Sequence, residues 1–98
     1  MRIQARIDAF AELGEILRNS LSGEEETRAT GLHELINTQQ TINPWFTPEN
    51  VTASITAIAN ELTPENLVQW TKAYPQLHTD TKPVTAGIIM AGNIPLAG

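Results

Sequence analysis

Apolar residues along most of this chain recur every three or four positions, the period of a helix that buries one face. Ile3, Ile7, Phe10, Leu13 and Leu17 make the first stripe, and Arg2, Arg6, Glu12 and Glu15 fall largely off it. The pattern predicts a helix from about Ile3 to Asn19, broken at Ser20-Leu21-Ser22-Gly23. Gly14 inside that helix costs about 1 kcal/mol against Ala, but it leaves room for a neighbouring helix to come close. Ser22 and Glu25 have the spacing of a capping box, which places Glu24, Glu25 and Glu26 in the first turn of a second helix. Unpaired amides and the helix dipole favour negative charge there. Ala29, Leu32, Leu35, Ile36 and Ile42 carry a thinner stripe to about Thr41, weakened by Gly31. Asn43-Pro44 ends it, because a residue before proline avoids helical geometry.

Two further helices announce themselves by their starts. Thr47-Pro48-Glu49-Asn50 and Thr63-Pro64-Glu65-Asn66 each offer a threonine N-cap followed by proline at the first helical position. Val51, Ile55, Ile58 and Leu62 give the third helix its stripe. Leu67, Trp70 and Tyr74 define one face of a short fourth helix, stopped by Pro75. The repeated tetrad is two solutions to one capping problem; two copies do not make a solenoid.

Residues 76–83 are polar and read as a linker. The period then changes. Val84-Thr85-Ala86-Gly87-Ile88-Ile89-Met90 is a short, nearly unbroken apolar run with no helical cap, as in a strand buried on both faces of a parallel sheet. Ala91-Gly92-Asn93-Ile94-Pro95 follows as a turn. A buried strand entering such a turn is a common opening of an α/β nucleotide-binding domain. Nothing upstream reads as its partner strand.

The formal charge of −5, with six Lys and Arg residues and no basic cluster, disfavours a nucleic-acid backbone or an anionic membrane surface as partner. The absence of cysteine excludes disulfides, thiolate metal sites and a cysteine nucleophile within the 98 residues. No apolar run approaches the ~20 residues of a membrane span. The amino-terminal residues lack the continuous apolar stretch of a signal peptide, so a cytoplasmic location is expected.

The string Gly87-Ile88-Ile89-Met90-Ala91-Gly92-Asn93-Ile94-Pro95-Leu96 resembles a segment of the LuxC-like acyl-CoA reductases, a branch of the aldehyde dehydrogenase superfamily. Residues 3–14 and Asn43-Pro44-Trp45-Phe46-Thr47 point the same way. The resemblance implies that the chain is the amino-terminal piece of a larger enzyme that reduces an acyl-CoA or other acyl thioester to an aldehyde with NADPH or NADH. It places Asn93 as the donor to the thioester oxygen, where charge develops as a cysteine attacks. It places Met90, Ala91 and Gly92 along the nicotinamide. The family's nucleophile is a cysteine, which this chain lacks, so the resemblance implies that the 98 residues alone are inactive and need no cofactor.

Each candidate has a plainer reading. Asn93 and Gly92 suit any turn, Asn by bonding its own backbone and Gly by tolerating positive φ. Trp45-Phe46 reads first as packing at a corner between helices, otherwise as an interface. His78-Thr79-Asp80 lacks a third metal ligand nearby. His33 reads as a surface or boundary residue, and the Glu24 to Glu26 run as a solvated helix start.

The expected architecture is mainly α: a three- to four-helix antiparallel bundle followed by one extended, strand-like segment. Residues 1–75 form the helical domain, 76–83 a linker, and 84–98 the first strand and turn of an α/β cofactor-binding domain. Residues 84–90 are expected to be poorly anchored, or to pair with the same segment of another copy. The alternative is a stand-alone helical protein–protein interaction module without catalysis.

Overall fold

A computed structural model of the chain describes residues 2–23, 26–80, 82–92 and 95, and the side chains of all of these except 26–30. It is mainly helical. Helix α1 spans Ile3–Ser22, α2 Glu26–Thr38, α3 Pro48–Glu61 and α4 Pro64–Lys72, with single 3₁₀ turns at Gln39–Thr41 and Pro75–His78.

The starts of α3 and α4 form as the sequence dictates. The Thr47 hydroxyl accepts from the Asn50 amide at 3.1 Å, the Thr63 hydroxyl accepts from the Asn66 amide at 3.2 Å, and proline opens both helices. The boundary between α1 and α2 differs from expectation. Helix α1 runs through Ser20, Leu21 and Ser22 and stops at Gly23, whose φ of 78° is left-handed and whose amide bonds back to the carbonyls of Asn19 and Ser20. A glycine closing a helix in this way satisfied carbonyls that a capping box at Ser22 would have left open. Ser22 is therefore no N-cap: its hydroxyl donates to the Asn19 carbonyl at 2.9 Å. Glu24 and Glu25 lie outside the described residues, and α2 begins at Glu26.

Helix α1 is the hub, packed against each of the other three. It runs antiparallel to α3: Gly14 and Arg18 meet the α3 C-terminus near Ala59 and Leu62, whereas Leu17 and Leu21 pack on the cluster of Ile36, Val51 and Ile55. Small residues make this approach possible. A Cβ on Gly14 would stand 2.7 Å from Leu62 Cβ and collide with the Leu62 carbonyl. Ala59 is fully buried, as are Ser20 and Thr71 nearly so. The Arg18 guanidinium donates to the carbonyls of Ala59 and Leu62, occupying acceptors that the end of α3 leaves without intrahelical partners. His33 Nε2 donates to the Ser20 carbonyl at 3.0 Å and ties α2 to α1.

The buried face of α1 is rotated from the expected stripe. Ile7, Gly14 and Ser20 are buried, but Phe10 and Leu13 are largely exposed. On α4 the buried pair is Leu67 and Thr71, not Leu67 with Trp70 and Tyr74. Thr71 tolerates burial because its hydroxyl donates to the Leu67 carbonyl at 2.9 Å. Trp70 and Tyr74 stand outside as an edge-to-face pair with ring centroids 6.2 Å apart.

Residues 82–91 form an arm without helix or strand pairing, and every one of them is exposed. The radius of gyration, 15.8 Å, exceeds the about 13 Å of a compact domain this long. The accessible surface of 7620 Å² likewise exceeds the roughly 5,500 Å² expected of a folded monomer of this mass.

Candidate functional site

Two of the segments singled out from the sequence, Trp45-Phe46 and Gly92, meet at the corner between α2 and α3. Two amides, Ile42 and Asn43, bond to the Gln39 carbonyl at 3.0 Å and close the 3₁₀ turn. The chain then reverses. Phe46 N–H donates to the Asn43 carbonyl at 2.9 Å, and Trp45 N–H donates to Asn43 Oδ1 at 3.1 Å. Asn50, on the first turn of α3, reaches back through Nδ2 to the Trp45 carbonyl at 3.0 Å. An Asn that accepts from the amide two residues on is a standard way to fix a turn.

The Trp45-Phe46 pair divides its work. Phe46 packs against Ile36, Val51 and Ile55, as a corner residue should. Trp45 is 62% exposed, so the packing reading holds for Phe46 and fails for its neighbour.

The arm returns to this corner. Asn43 Nδ2 donates to the Gly92 carbonyl at 2.8 Å, across 49 positions of sequence. Pro95 is buried. Met90, Ala91 and Gly92, the positions assigned to the nicotinamide side, are exposed in this arrangement. Asn93, the assigned oxyanion donor, lies outside the described residues, as do Ile94 and Leu96. The sequence reading took Asn43 as a helix stop and as part of the Asn43-Pro44-Trp45-Phe46-Thr47 string, and missed its bond to the arm, which spans 49 positions and leaves no local signal.

The other candidates do not join them. His78 ends the second 3₁₀ turn and Asp80 follows it, both at an open groove of about 430 Å³ with Arg2, Ile3 and Leu77. Arg6 and Lys82 line the adjoining groove. These cations are solvent-exposed, so water screens any anion they would attract. Among the described residues no three His, Cys, Asp or Glu side chains come together as a metal site. Among them, too, no helix is long and apolar enough to cross a membrane.

No family model matches the chain, and no curated protein or solved structure matches it. The likeness to acyl-CoA reductases therefore rests on the quoted residues alone.

Proposed function

We propose that residues 1–98 are the amino-terminal part of an acyl-CoA reductase, a helical layer that presents the first strand and turn of a cofactor-binding domain. One observation supports this reading above the others. The apolar run that resembles the reductase strand is exposed along its length: Val84 is 88% exposed, Ile88 77%, Ile89 102% and Met90 56%. Burying such side chains is worth about 1.5–3 kcal/mol each, so the arm has a strong drive to acquire neighbours. A parallel sheet supplies neighbours on both faces. A second copy pairing through residues 84–90 supplies them on an edge.

In the proposed enzyme a cysteine outside these residues attacks the acyl thioester. Asn93 donates to the oxygen on which charge develops, a contribution of roughly 2.7–4 kcal/mol for one preorganised donor. Met90, Ala91 and Gly92 border the nicotinamide of NADPH or NADH, which supplies the hydride. The source DNA downstream of the Gly98 codon tests the proposal. An open frame of several hundred codons, with a cysteine in an α/β context, supports it. A stop codon at that point overturns it.

One feature favours a second reading, a helical interaction module without catalysis. Trp70 and Tyr74 stand 64% and 44% exposed on the outside of α4, and aromatic residues are enriched at protein interfaces. Saturable binding of NADP(H) or NAD(H) by the 98-residue chain would count against this module.

A further inference from the structure

We propose that Asn43 is a clamp that holds the turn end of the arm against the corner between α2 and α3. Resting on the reductase reading, it is also a positioning residue for Asn93. The argument starts from the two ends of one amide. Asn43 Oδ1 is committed to Trp45 N–H at 3.1 Å, which fixes the orientation of the amide plane. That leaves Nδ2 aimed outward, where it donates to the Gly92 carbonyl at 2.8 Å. The corner behind it is closed by its own bonds: the Gln39 carbonyl, the Asn43 carbonyl and Asn50 Nδ2 all bond within it, and Phe46 packs it against the core.

Among its described residues, the arm is buried only at Pro95. Residues 82–91 are exposed throughout, so none of them anchors the segment by burial. The contact falls at Gly92, adjacent in sequence to Asn93 and three residues before the buried Pro95. A hydrogen bond at that point restrains the peptide that leads into the residue assigned to the oxyanion. In an enzyme built this way, a side chain of the helical layer sets the reach of a donor in the reaction centre. A misplacement of about 1 Å at such a donor can cost on the order of 10²-fold in rate.

Two substitutions separate the roles of the amide. Asn43→Asp keeps an oxygen for Trp45 N–H and removes the donor to Gly92. Asn43→Ala removes both. The first readout is the backbone order parameter of the Gly92 amide by NMR on the 98-residue chain. The native protein is expected near 0.85 and Asn43→Asp below about 0.6, with α3 unchanged in both. Equal values for Gly92 in the two proteins, whether high or low, overturn the clamp. The second readout is steady-state kinetics on the protein from the complete reading frame. Asn43→Asp is expected to lower kcat about tenfold or more, with KM for the acyl thioester little changed. A loosened Gly92 with unchanged kcat overturns the positioning role and leaves the clamp standing. A native full-length protein without acyl-CoA reductase activity overturns the reductase reading together with the positioning role, while the NMR comparison still decides the clamp.

Discussion

The arm is richer in apolar residues than the helical layer, yet the layer buries its own and the arm leaves them in water. In the layer, Ile7, Ile36, Val51, Ile55, Ala59 and Leu67 are buried, and small residues at Gly14, Ser20 and Ala59 let the helices close on them. In the arm, Val84, Ile88, Ile89 and Met90 remain in water. The difference lies in backbone hydrogen bonding as much as in hydrophobicity. A helix satisfies its own amides and needs only one covered face. A strand-like segment needs neighbours for its amides and for both faces. The layer can therefore assemble from its own sequence, whereas the described residues of the arm leave their apolar side chains uncovered.

Substitutions can break or sharpen this contrast. Ile55→Ala removes a side chain at the centre of the core and should cost about 2–5 kcal/mol in urea unfolding. Ile89→Ala, in the arm, should change stability by less than about 0.5 kcal/mol. Equal losses at the two sites would show that the arm is part of the core. Next in size is Arg18→Met, which leaves the carbonyls at the end of α3 without their charged donor. A loss of about 1.5–3 kcal/mol is expected, and a neutral result would remove Arg18 from the account of α1–α3 packing. Gly14→Ala should destabilise by about 1–3 kcal/mol because the new Cβ meets Leu62 backbone. A helix-propensity argument alone predicts a gain of about 1 kcal/mol, so the sign of the change decides between them. Smallest are Thr47→Ala and Thr63→Ala, each expected to cost about 1 kcal/mol through loss of a cap.

Much of the layer was legible because caps and stripes act locally. Thr47-Pro48 and Thr63-Pro64 start α3 and α4 through a local cap and a preset φ, and Val51 and Ile55 face inward as their spacing requires. What escaped the reading was set by close approach. Gly14 was read as a point of close approach, but Ser20, Ala59 and Thr71 are buried although none is strongly apolar, so a stripe drawn through large side chains turned Phe10 and Leu13 inward when they face out. At Gly23 two signals competed, and the left-handed glycine closure of α1 prevailed over the Ser22 capping box. The candidate site was legible as a string but not as a place. The Met90 to Pro95 segment was picked out by type, yet the bond from Asn43 to Gly92 spans 49 positions and has no local signature. Asn93 itself lies outside the described residues, so its role stands on the resemblance.

The most direct test of the reductase proposal is kcat for acyl-CoA-dependent oxidation of NADPH or NADH, measured on the protein from the complete reading frame and on its Asn93→Ala variant. The account predicts turnover by the native protein and a loss of about 10²–10³-fold in the variant. No turnover by the native protein, or an unchanged kcat in Asn93→Ala, would contradict it.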